Sequence, residues 1–167
     1  ARKLDPDNRL FSRQNRQRLE SEAIRDSLIN AGGKLDLTAG GPAVRDFTSP
    51  RRSLYVITIR SDRTGFGPLF DVADSTGHAD HRINSTVAPQ ALYMMNNPFV
   101  QDQAVNLAKR ANAEGGSNPK AKIEYLYQSL YGRLPSQQEL SIGVQYFGTS
   151  MDAPVGYCKL LLCANEF

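Results

Sequence analysis

Both histidines of the chain fall in one hexapeptide, GHADHR at 77–82. His78, Asp80 and His81 are residue types that bind zinc or exchange protons near neutral pH. A metal site needs further ligands, and no other His exists. Cys158 and Cys163 lie far away in an apolar, helix-like stretch, so only carboxylates such as Asp71 and Asp74 could complete a set. Ligands three apart suit one face of a helix, whereas Gly77 and the lack of helical periodicity point to a loop. Acid/base chemistry would use His81 as base, oriented by Asp71, Asp74 or Asp80, with Ser75, Ser85 or Thr86 as nucleophile. None of these hydroxyls stands in a glycine-flanked nucleophile turn. No catalytic residue and no metal ligand are therefore assigned, and no cofactor is expected. GHADHR reads as a surface loop, with His81 retained as a candidate binding residue.

The better candidates for a site are Arg51, Arg52, Asp71, Asp74 and Arg82. An apolar stretch and a long loop bring these opposite charges into expected proximity, and Arg is the side chain suited to two-pronged carboxylate pairing. The competing reading is an internal ion-pair network that pins the loop, with Arg82 tied to Asp71 or Asp74. The glycines of AGGP and TGFGP match neither phosphate-cradling pattern and read as turns. The chain has no CxxCH and no paired CxxC motif, and its two cysteines are expected to be buried free thiols.

The elements that must position these residues are mainly helical. A helix is expected from about Arg16, with Leu19, Ala23, Ile24, Leu28 and Ala31 on its apolar face and Arg18, Glu22, Arg25 and Asp26 on the other, ending at Gly32–Gly33. SLYVITIR, 53–60, is β-branched and aromatic and reads as a strand, paired with KLDLT (34–38), with the following loop or with a domain outside this chain. Residues 61–88 form a long irregular loop anchored by Leu69, Phe70 and Val72. From Pro89 the pattern is helical. Ser85 or Thr86 is placed to cap the first helix, NNP at 96–98 starts a second, further helices run from Pro119 to Tyr131 and from Ser136, and SQQE has capping-box form. The last helix, about Asp152 to Asn165, is apolar on nearly every face and belongs at the centre of a bundle. The fold expected is mainly α, a helical bundle with a small β element near 53–60 and a long loop, in a single domain over 1–167.

The net charge is +3, and residues 1–82 hold 14 of the 20 basic residues against 11 of the 17 acidic ones. An Arg-rich, acid-interspersed half suits ion pairs or a partner surface better than a nucleic-acid groove. The longest apolar runs, such as Leu160 to Ala164, fall far short of the roughly 20 residues that span a bilayer. The chain opens on Ala without a charged leader, and it is expected to be a piece of a larger multidomain protein.

Several segments carry a resemblance: RQRLESEAIRD (16–26), KLDLTAGGP (34–42), RRSLYV (51–56), LFDVAD (69–74), RINSTVAPQALYMMNNPFV (82–100), LYGRLPSQQE (130–139) and the closing LLLCANEF. Together, in this order, they resemble the planctomycete-specific domain of unknown function of PSD type. The resemblance implies a C-terminal domain of large proteins that also carry cytochrome c-like domains, and a periplasmic or cell-surface setting. It brings no catalytic or metal residue to these positions. Arg82 falls on the family motif, while the histidines lie in a segment that varies. The expected role is a non-catalytic binding or scaffolding module of an extracytoplasmic protein. Its partners would be the parent's other domains or a separate protein, not nucleic acid. The alternative is a hydrolase acting on an extracellular polysaccharide-like substrate.

Overall fold

The structure is a computed structural model, and it describes residues 5–14, 17–59, 61, 64–73, 77, 78, 80–82 and 84–167. It is mainly α. Among the described residues the helices are α1 (Ser21–Ala31), α2 (Phe66–Leu69), α3 (Ala88–Asn96), α4 (Pro98–Gly115), α5 (Pro119–Tyr131), α6 (Gln137–Phe147) and α7 (Ala153–Leu162). None is long and apolar enough to cross a membrane.

The centre of the bundle is α4, not the last helix. Val100, Ala104, Leu107, Ala108 and Ala111 recur at helical spacing and are buried, and the small alanines let α1, α5 and α7 close around them. On α7, Tyr157, Cys158, Leu161 and Leu162 are buried but Leu160 is 58% exposed, so this apolar helix covers the core with one side only. Proline in the first turn and an asparagine cap open both α4 and α5: the side chains of Asn97 and Asn118 accept hydrogen bonds from the amides of Phe99 and Lys120. At α6 the Ser136–Glu139 capping box forms as the sequence indicates.

Helix α1 begins at Ser21 rather than near Arg16. The stretch before it is drawn away by tertiary contacts, since the Arg18 guanidinium donates to the Ser85 carbonyl and lies 3.6 Å from the Asp71 carboxylate. Helix α3 begins without a Ser or Thr cap; instead the Gln90 side chain accepts from the Val87 amide, while Ser85 turns to Asp71.

Among the described residues of 53–60, where a strand is expected, none forms. Ser53–Tyr55 is a 3-10 turn, and β pairing among the described residues reduces to two isolated parallel bridges, Asp36 with Arg51 and Val44 with Val56. Its cause is local: the Asp26 carboxylate accepts from both the Ser53 amide (2.8 Å) and the Ser53 hydroxyl (2.7 Å), which bends the chain where a strand would start.

The region after 61 is held by an aromatic cluster. Helix α2 and the residue after it bury Phe66 and Phe70, whose rings stack at 4.3 Å, and Phe47, Tyr93 and Phe99 meet them or one another at 5.0–5.7 Å. Each such pair contributes about 0.5–1.5 kcal/mol beyond its buried area. Phe66, not foreseen as an anchor, ties this region to both Phe47 and α3. Cys158 is buried and Cys163 partly so, both as free thiols; burial pushes the Cys158 thiol up to about 12.

Candidate functional site: a groove beside the first helix

Arg25 organises the irregular segment that builds one wall of the site. It was expected on the polar face of α1, yet it is 2% exposed, sharing a face with buried Ser21, Leu28 and Ile29. Its guanidinium donates to the carbonyls of Phe47 (2.9 and 2.7 Å), Ser49 (2.7 Å) and Arg51 (2.9 Å), and stands 3.3 Å from Asp26. It also lies over the Phe47 ring at 5.0 Å. A loop without regular structure leaves its carbonyls unpaired, and here one buried cation collects them. Burial depresses the Arg25 pKa, with Asp26 and Asp46 opposing the shift.

Arg51 performs the same task one turn outward. It donates to the carbonyls of Pro42 (2.9 Å), Thr38 (3.4 Å) and Gly40, and its guanidinium stacks 3.9 Å from the Tyr55 ring centre. The Tyr55 hydroxyl in turn accepts from the Gly40 amide at 2.7 Å. The GGP turn thus wraps around Arg51, with Gly40 and Gly41 at positive φ. Arg51 is engaged in the fold and does not face the groove.

Asp71 is likewise structural in its contacts. It adopts φ 60°, and its carboxylate accepts from the amide (2.8 Å) and hydroxyl (2.8 and 2.9 Å) of Ser85. Gln90, buried, donates to the Leu69 carbonyl at 2.8 Å and to the Ser85 hydroxyl at 3.3 Å. These bonds join the LFDVAD and INSTVAPQ segments.

Arg82 is an ion-pair partner, as expected, but of different carboxylates. It pairs with Glu22 at 2.6 Å and Glu20 at 3.4 Å, at the start of α1, and not with Asp71. Asp74, the other expected partner, lies outside the described residues. Burial works to raise the Glu22 carboxyl, but the hydrogen bond from Arg82, with those from the backbone and Ser21, holds it below its usual range. The Glu22 hydrogen bond raises Arg82.

His81 sits on the surface. Its side chain is 79% exposed, and the one described carboxylate beside it, Asp80 at 2.7 Å, is more exposed still. His78 is exposed as well. Among the described residues no group of three or more His, Cys, Asp or Glu is placed to hold a metal.

An open groove of about 1080 Å³ runs between the start of α1, the 52–59 stretch and residues 64–73, and of the six sequence candidates it brings together Arg52 and Arg82. Its apolar lining includes Leu54, Val56, Ile57 and Ile59, of which Leu54 is 73%, Ile57 38% and Ile59 47% exposed. Its floor includes buried Phe66 and part-buried Phe47. Arg45 and Arg52 are exposed along it, and their guanidinium groups have no hydrogen-bond or ion-pair partner among the described residues. The backbone adds a polar edge. Val44 donates to the Tyr55 carbonyl (2.7 Å) and accepts from the Ile57 amide (2.9 Å), so the Val56 carbonyl and the Thr58 peptide groups face the other way. The Thr58 amide has no hydrogen-bond partner among the described residues. The exposed apolar run was visible in the sequence as a strand. Arg45 was not singled out, and its signal would have been its place beside Val44.

A family model described as PSD1, protein of unknown function (DUF1553), matches residues 1–147. No curated protein and no solved structure matches the chain.

Proposed function

This chain belongs to the PSD1 family of proteins of unknown function, and we propose that it serves there as a non-catalytic binding module of a larger extracytoplasmic multidomain protein. The groove beside α1 is its docking surface. One observation carries this reading: Leu54, Ile57 and Ile59 stay exposed on the wall of a groove whose backbone edge, at the Thr58 amide, has no partner among the described residues. Contiguous exposed apolar side chains rimmed by charge mark interaction sites, and an open edge is a template for another chain. The partner is another domain of the parent or a separate protein. The arrangement at His81, an exposed imidazole with one exposed carboxylate, does not favour the hydrolase alternative.

The test is site-specific photo-cross-linking from Leu54 in the full-length gene product, followed by identification of the captured peptide. Capture of one defined protein segment, lost when Ile57 and Ile59 are replaced by Ser, is the expected result. Labelling that is diffuse, or indifferent to those replacements, would remove docking as the function.

A further inference from the structure

Resting on that reading, we infer that the groove takes an extended acidic segment of a protein partner, which adds itself as a strand along Val56–Thr58 and pairs its carboxylates with Arg45 and Arg52.

Three observations on the groove converge. The first is the edge: with Tyr55 and Ile57 both committed to Val44, the Val56 carbonyl and the Thr58 amide point outward at ladder spacing. An extended chain satisfies such groups and a helix does not, because a helix has already paired its own. The second is the apolar lining at Leu54, Ile57 and Ile59, which gives alternate side chains of an added strand something to cover.

The third is charge. Four arginines and three acids line the groove: Arg25, Arg45, Arg52 and Arg82 against Glu20, Glu22 and Asp26. Arg25 is buried and joined to Asp26, and Arg82 is taken by Glu22 and Glu20. What is left over is the guanidinium groups of Arg45 and Arg52, both exposed and both without a partner among the described residues. The 44–56 bridge sets Arg45 beside Ile57, and Arg52 opens the 3-10 turn that leads to Leu54. Cations thus flank the apolar stretch. Glu20 and Glu22 share a single arginine, so carboxylates are disfavoured near α1 and directed to Arg45 and Arg52.

The probes are two fluorescein-labelled decapeptides with valine at alternate positions, one carrying glutamate and the other lysine between them. Each is titrated into the 167-residue chain, with anisotropy for affinity and the Thr58 amide resonance for position. The glutamate peptide is expected to bind at least 10-fold more tightly and to shift Thr58. In the Arg45→Glu/Arg52→Glu variant, both sites being exposed and outside the core, the preference is expected to invert. Equal affinity for the two peptides, with Thr58 shifted by both, would overturn the acidic preference and leave docking standing. Binding by neither, while Leu54 still cross-links to a defined segment in the full-length product, would overturn the ligand class alone. Binding by neither without any cross-link would overturn both.

Discussion

Arg25 is the residue on which the non-helical half of the chain depends. Its guanidinium binds three backbone carbonyls from one loop, and none has another described partner. Arg25→Met fills much of the same volume but leaves those carbonyls and Asp26 without their cation. The expected cost is about 3–5 kcal/mol, read as a lowered midpoint in urea unfolding. A second residue-scale prediction concerns Arg133, which forms a forked pair with Glu139 (2.9 and 2.8 Å) and another with Glu166 (2.7 Å each) near the end of the chain. The Arg133 hydrogen bonds hold the Glu139 carboxyl down to about 2, against an ordinary 4.5. A carboxyl lowered on folding stabilises above its unfolded pKa, and that stability is lost as pH falls through the folded one. Thermal stability should therefore decline between about pH 4.5 and about pH 2, and Glu139→Gln should flatten that part of the curve. Neither role was readable from residue type. Arg25 has charged neighbours at Glu22, three residues before it, and at Asp26, directly after it, and only its register with Leu28 and Ile29, three and four residues on, betrays the buried face.

At the scale of elements, the helices after residue 88 were legible because each carries its own punctuation: asparagine or serine caps, proline in the first turn and Gly132 beyond Tyr131. What decides their packing is less visible. Gly143 of α6 faces α5 and α7 so closely that a Cβ there would lie 2.8 Å from both Ile123 Cδ1 and Tyr157 Oη. Gly143→Ala should therefore destabilise the bundle, despite alanine's better helix propensity, by about 1–3 kcal/mol. Calorimetric melting would show it, and an unchanged or raised melting temperature would mean that α6 is free to move outward. The strand expected over 53–60 is not found among the described residues, for a physical reason. β-branched residues predict extended backbone, but a strand also needs a partner, and among the described residues this stretch has a single bridge, Val56 with Val44. The helix α2 was hidden because its four residues, FGPL, have too little length to show a period.

For the molecule as a whole, the bundle around α4 is the platform and the segment from Lys34 to Ala73 is the surface it supports. Two arginines fix that segment's loops from within, and the aromatic cluster fixes it to the bundle through Phe99 and Tyr93. Arg52 and Arg82, two of the residues singled out in the sequence, both line the groove, but the groove that joins them depends on a fold of loops, which no periodicity encodes. Docking at that groove is the central claim, and backbone hydrogen exchange tests it most directly. Exchange is compared at Ile57, Thr58 and Ile59 between the 167-residue chain alone and the full-length gene product. If the groove is a docking surface, Thr58 exchanges freely in the isolated chain and at least 10-fold more slowly in the full-length protein or its complex, while α4 amides are unchanged. Equal exchange at Thr58 in both would contradict the account.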